Sequence, residues 1–186
     1  MTKDFVKKNS TADDDVRKTL LRIPEQECGE HYLSYCIEIY KLYVASADGV
    51  STRRQAANSF FLTLNTAILA FLGYVKPSFW QPIGRLTVLA TLAGIVLCYT
   101  WYRLILSYKG LNSGKFKVIH MIEAKLPIAP YDAEWKAIGS GIDAKKYKPF
   151  THVELWIPWV FMAIYLVGVI SFVPWKELGL VFGIAG

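Results

Sequence analysis

The chain has 186 residues, a formal net charge of +6, and 53% apolar and 15% aromatic residues, whereas soluble domains are about 45–50% apolar. Three stretches without Lys, Arg, Asp or Glu are each long enough to cross a hydrocarbon core of about 30 Å: residues 58–75, 86–102 and 155–173. These features exclude an ordinary soluble domain and predict an all-α integral membrane protein, with three transmembrane helices and a helical cytoplasmic region.

Two segments precede the first span. Residues 1–24 are charged and lack apolar periodicity, which predicts a mobile cytoplasmic tail and no cleaved signal peptide. Residues 25–57 are predicted to form an amphipathic cytoplasmic helix, because apolar side chains recur at spacings of three and four: Leu33, Ile37, Tyr40, Val44 and Ala47. Asp48-Gly49 and the capping-box pattern Thr52–Gln55 predict a helix break here, with a helix continuous through Gly49 as the alternative.

Residues 58–106 are predicted to form a transmembrane hairpin whose helices associate through small and polar residues. The first span has these at Asn58, Ser59, Thr63, Asn65, Thr66, Ala70 and Gly73, and the second at Thr87, Thr91, Gly94 and Cys98. We interpret both sets as packing faces, either between the spans of one chain or between subunits. The alternative is that the asparagines and threonines line a water-filled path, since uncharged polar side chains can wet a pore.

Residues 107–154 are predicted to form a cytoplasmic helical loop. Gly110–Gly114 indicates a helix stop, and the apolar spacing that follows predicts a short amphipathic helix ended by Pro127. Asp132 is the expected N-cap of another short helix, which Gly139-Ser140-Gly141 should end.

The third span is predicted within residues 155–186, which also include a short outer tail. Thr151–Glu154 has the form of a capping box, so the helix is expected to begin there. Pro158 is expected to kink its first turns, and Pro174 to end it.

The basic residues predict an orientation with the N-terminus inside and the C-terminus outside. Most of them flank the same ends of the spans, and such flanks are cytoplasmic: Arg53, Arg54, Arg103, Lys109, Lys115, Lys117, Lys145, Lys146 and Lys148. Aromatic residues, among them Trp101, Tyr102, Trp156 and Trp159, are expected at the inner membrane interface. Anionic lipid accounts for the positive charge, so we predict a bilayer partner and no nucleic acid.

No pattern in the chain indicates catalysis, a metal or another cofactor. The three cysteines lack metal-ligand spacing, and the histidines are far apart in sequence. His120 and Glu123 have helical spacing, which is more typical of a surface contact than of a metal or acid/base site. Glu38 and Glu123 are expected to form structural ion pairs. We therefore predict no enzyme activity.

Several runs of residues resemble one known family. They are Ile39–Val44, Ala47–Gly49, Arg53–Asn65, Tyr108–Phe116 and Pro130–Trp135. Together they are similar to the RipA-type family of small bacterial octameric membrane proteins. The first half is more distantly similar to the SLATT two-span domains, which are thought to be pore-forming effectors. The first resemblance implies a homo-oligomer of the bacterial inner membrane, with eight subunits as the expected number.

These observations favour a homo-oligomeric membrane assembly with a structural or regulatory role, with or without a central pore. The alternative function is a channel or a pore-forming effector. The small-residue faces support the first hypothesis, because they suit helix association. The alternative depends on Asn58 and Asn65 facing a wet axis.

Overall fold

The computed structural model describes residues 14–75, 82–140 and 150–172, which form helices and no strand. The elements in order are α1 (residues 14–20), α2 (Glu25–Cys28), a 3₁₀ turn (Gly29–His31), α3 (Tyr32–Tyr74), α4 (Pro82–Glu123), α5 (Pro130–Ala137) and α6 (Phe150–Phe172). Three of the helices are long and apolar enough to cross a membrane, which confirms the predicted fold class. Predictions for Gly141, Lys145, Lys146, Lys148, Pro174 and residues 1–13 lie outside the described residues.

The two longest helices continue through the positions where glycines predict breaks. α3 has 43 residues and α4 has 42, so each is about 63–65 Å long at 1.5 Å per residue. α3 follows the alternative of a helix continuous through Gly49. The predicted stop at Gly110–Gly114 is wrong, and so is the separate helix ending at Pro127, because α4 runs to Glu123.

A regular seam of buried residues explains this continuity. Along α4 the residues shielded from solvent recur at alternating spacings of three and four: Thr87, Thr91, Gly94, Cys98, Trp101 and Ile105, and further on Ile119 and Ile122. Gly110 and Gly114 lie off this seam on the exposed side, with open space around each Cβ position. A glycine costs a helix only about 1 kcal/mol relative to alanine, so the buried seam outweighs both.

The helix starts differ in detail from the predictions. The helix expected from Glu25 begins there as α2, but Gly29, at a φ of 60°, interrupts it, and the α-helix resumes only at Tyr32. The N-cap of α5 is Ala129 rather than Asp132, and Pro130 occupies its first turn. α6 begins at Phe150, one residue before the predicted capping box. α5 ends at Ala137 with Gly139 at a φ of 82°, as predicted.

The chain divides into two compact units. The first unit comprises Met1–Ser51 and Gly110–Lys148, and the second comprises Thr52–Lys109 and Pro149–Gly186. The first unit buries Ala47, Val50, Ile119 and Ile122, and the second has a core around Phe61, Trp101 and Ile105. The Phe61 and Trp101 rings stack with their centroids 5.9 Å apart and their planes within 8° of parallel.

Replacing Gly110 and Gly114 by alanine should stabilise the protein. Both positions are exposed and helical with room for a Cβ, so each substitution is expected to add about 0.5–1 kcal/mol. Thermal unfolding of the detergent-solubilised protein would measure the effect. Gly139→Ala is the matched control and should destabilise, because Gly139 has a positive φ. A lower unfolding temperature for the Gly110 and Gly114 variants would mean that a helix break exists there after all.

Candidate functional site

Asn58 joins three helices in the second unit. Its Nδ2 donates a hydrogen bond to Glu154 Oε1 of α6 over 3.0 Å, and its Oδ1 accepts one from Trp101 Nε1 of α4 over 2.8 Å. Both ends of the amide are therefore used inside the protein. We call Asn58, Trp101 and Glu154 the Asn58 node.

Arg54 supplies the charge that balances this node. The Glu154 side chain is only 7% exposed, and its Oε2 lies 3.5 Å from an Arg54 guanidinium nitrogen. Among the described residues this oxygen accepts no hydrogen bond, so the ion pair is its main compensation. A buried carboxylate without a countercharge would be expensive, which makes Arg54 part of the structural core.

Asn65 forms a second node with the same three helices. Its side chain is fully buried, and Oδ1 accepts hydrogen bonds from Tyr165 OH at 3.1 Å and Cys98 Sγ at 3.3 Å. Its Nδ2 donates to the Phe61 carbonyl at 2.8 Å. The Tyr165 hydroxyl is also 3.2 Å from the Asn65 carbonyl oxygen. We call Asn65, Cys98 and Tyr165 the Asn65 node.

The predicted small-residue face of α4 lies inside the protomer. Thr87 and Thr91 are buried, and the Thr91 hydroxyl donates to the Thr87 carbonyl over 2.8 Å. Gly94 lies directly against the Tyr165 ring, because a Cβ built there would come within 2.7 Å of Tyr165 Cε1. A side chain at position 94 would push the ring away from its bond to Asn65.

The predicted residues of α3 separate onto two sides of that helix. The asparagines at 58 and 65 turn toward the protein interior, whereas the small residues that follow them are exposed: Ser59, Thr63, Thr66, Ala70 and Gly73. One residue along a helix turns the side chain by about 100°, which is why Asn58 and Ser59 do not share a face. A Cβ at Gly73 meets nothing within 4 Å.

Glu123 is the centre of a polar site in the first unit. It is 2% exposed, and Oε1 accepts hydrogen bonds from Tyr40 OH at 2.9 Å and the Tyr131 backbone N–H at 3.0 Å. Oε2 accepts one from the Asp132 N–H at 3.2 Å. The carboxylate at the end of α4 thus caps the first turn of α5, because Ala129 has no side-chain acceptor.

The contact predicted between His120 and Glu123 is present, with His120 Nδ1 3.4 Å from Glu123 Oε2. Its location is the correction, because Glu123 is buried rather than on the surface, and its carboxylate also bonds to Tyr40 and α5. The ion pair predicted for Glu38 is formed with exposed Lys41, over 3.3 Å.

The same carboxylate affects the pKa of Tyr40. Burial and the hydrogen bond to Glu123 raise the pKa of Tyr40 above its usual value. The contribution of this raised pKa to stability is therefore present below about pH 10 and lost as the pH rises further.

Sequence reasoning missed four residues of these sites. The sequence predicts Trp101 at a membrane interface, whereas the side chain is 1% exposed in the core. It predicts Glu154 as part of a cap, and it predicts no polar role for Tyr165 or Tyr40. The one available signal is spacing, since Trp101 continues the seam through Thr87, Thr91, Gly94 and Cys98. Within the described residues, no three His, Cys, Asp or Glu side chains are placed to bind a metal ion.

One protein family matches most of the chain. The sequence model of the octameric membrane protein family (8xMP) matches residues 37–174. The matched range contains both nodes and the Glu123 site. No curated protein and no solved structure matches the chain.

Replacing Asn58 by leucine should destabilise the protein more than the same change at Asn65. Asn58→Leu leaves the Trp101 N–H and a Glu154 oxygen without their bonds, at a cost of about 1–3 kcal/mol for each. After Asn65→Leu the Tyr165 hydroxyl still reaches the backbone carbonyl of residue 65, so a loss of about 1 kcal/mol is expected. Unfolding of the solubilised protein measures both, with exposed Thr100→Val on α4 as the control. Equal effects of the two changes would contradict the ranking.

Removing the Glu123 carboxylate should release α5. Glu123→Ala leaves two α5 N–H groups and the Tyr40 hydroxyl unpaired, so hydrogen exchange across Pro130–Ala137 should accelerate. Tyr40→Phe removes a single donor and should have a smaller effect. Glu38→Gln, at the exposed pair with Lys41, serves as the control and should leave this exchange unchanged. Unaltered exchange in Glu123→Ala would show that another contact holds α5.

Proposed function

Because the chain belongs to the octameric membrane protein family, we propose that it acts as a structural or regulatory homo-octamer in the bacterial inner membrane. The observation that carries this proposal is the division of polar residues on α3. Asn58 and Asn65 are used inside the protomer, while the face of Ser59, Thr63, Thr66, Ala70 and Gly73 is exposed and available to a neighbouring copy. We call these five residues the small-residue face.

The small-residue face suits contact with a neighbouring copy in lipid. Helices in a bilayer gain little from burying apolar side chains against each other, so close approach of backbones provides much of the attraction. Small side chains permit that approach, and hydroxyl groups add hydrogen bonds. The Thr66 hydroxyl already donates to the Leu62 carbonyl of its own helix over 2.8 Å, so it enters such a contact without an unpaired donor.

The proposed orientation has the N-terminus in the cytoplasm and the C-terminus outside. Its support is the basic flank of the spans, which includes Arg53 and Arg103. In this orientation the first unit is cytoplasmic, where a regulatory partner or ligand would meet it.

The proposed role is not catalytic. The two buried carboxylates, Glu123 and Glu154, are engaged with backbone N–H groups, side-chain donors and Arg54. General acid/base catalysis requires such a group to reach a substrate. Their bonds instead support a role in positioning helices.

A channel is the second candidate, and the exposed hydroxyls of Ser59 and Thr63 favour it. If the small-residue face turned toward the axis of the octamer, it would form a weakly polar wall without fixed charge. Ion flux through liposomes containing the purified octamer separates the two functions. If the assembly is closed, the ion flux should equal that of liposomes without protein. A selective ionic current would favour the channel.

Gly73→Leu should weaken the octamer without unfolding the protomer. Position 73 has open space in the protomer, so a bulky side chain there would act only on an approaching neighbour. Native mass spectrometry of gently extracted protein is expected to show smaller species. Gly168→Leu on α6 is the matched control, since Gly168 is also exposed with open space around it. If the Gly73→Leu protein forms octamers as well as the Gly168→Leu protein does, the small-residue face is not part of the subunit interface.

A further inference from the structure

The part of α3 that belongs to the first unit exposes an apolar face. Tyr35, Ile39 and Leu42 are 60%, 45% and 63% exposed. Their spacings of four and three place them on one side of the helix. We call these three residues the Tyr35 face.

The protomer does not use the Tyr35 face for its own packing. The residues of this helix segment that pack within the first unit are Tyr40, which bonds Glu123, and buried Ala47 and Val50. Lys115 of α4 reaches the same region, donating to Ser46 Oγ over 2.6 Å. The described residues therefore leave the three side chains of the Tyr35 face exposed, whereas Ala47 and Val50 of the same helix are covered.

Lipid tails are a poor occupant for this face. The exposed ion pair of Glu38 and Lys41 lies in the same helical turns, and charges cannot enter a hydrocarbon core without a large cost. In water, an apolar face of this kind marks an interaction site.

We propose that the Tyr35 face binds a second copy of this chain. The octameric family match includes Ile39 and Leu42, so self-association supplies a partner at the required stoichiometry. If the octamer is a closed ring, each subunit joins its neighbours through two different surfaces. The Tyr35 face is then one side of that contact, outside the membrane. This inference needs only self-association, so it holds whether or not the assembly conducts ions.

Photo-crosslinking in intact membranes tests the occupant directly. A benzophenone amino acid placed at Leu42, and separately at Ile39, should give an adduct of twice the chain mass that mass spectrometry identifies as two copies of this chain. Leu33 is the control position, because it is 44% exposed and lies half a turn around the helix from Leu42. Adducts with lipid alone, with another protein alone, or equally strong from Leu33 would overturn the proposal.

Charge on the same face provides an independent measurement. Leu42→Asp should weaken assembly about tenfold or more, as expected when an apolar contact is replaced by a desolvated charge. Leu33→Asp should leave assembly unchanged. Protease resistance of the first unit shows that the protomer still folds. If Leu42→Asp and the double variant with Ile39→Asp both form normal octamers, the Tyr35 face is not a subunit contact. The proposed membrane assembly would not be contradicted by that result.

Discussion

Polar groups buried between membrane helices need partners from the protein itself, because hydrocarbon offers none. In this chain that constraint is met at two levels of α3. Asn58 bonds Trp101 and Glu154, and Asn65 bonds Cys98 and Tyr165. Each asparagine thus contacts α4 and α6 together. Sliding or rotating one of the three helices would leave several groups unpaired at once, so the two nodes fix both the register and the facing sides of the spans.

The continuity of the long helices follows from a second constraint, the phase of the buried seam. Spacings of three and four keep successive side chains of α4 on one side only if the helix is uninterrupted. A break at Gly110 would have shifted that phase, yet Ile119 and Ile122 are buried on the side that the seam predicts. The packing of the buried seam stabilises the continuous helix by more than the exposed glycines destabilise it. The true interruption at Gly29 has a positive φ, and none of the described residues before it, 14–28, is buried.

The sequence supported the fold class and the spans because apolar length and the absence of charge are local properties. It could not separate Asn58 from Ser59, since both are polar and adjacent, and only the positions of α4 and α6 decide which one is buried. The Glu123 site was unpredictable for the same reason. Its donors come from Tyr40 and from the backbone of Tyr131 and Asp132, and backbone N–H groups leave no trace in a sequence pattern. The buried seam of α4 can be predicted from residue spacing alone. The glycines there also match the usual helix-stop signals, which led to the wrong prediction of a break.

The two sides of α3 have separate physical roles, and this separation bears on function. Residues that hold the protomer together are buried within it, whereas the small-residue face is free to meet a neighbour or an axis. In the proposed octamer, subunits could therefore separate while each protomer stays folded, which is what a regulated oligomer requires. The same division limits a conducting state. Its polar lining would consist of hydroxyls such as that of Thr66, which already donates to its own helix, and would lack the amide groups of Asn58 and Asn65. Such a wall has few free donors and no fixed charge to replace the hydration shell of an ion, so a narrow pore lined by it would favour the dewetted, closed state.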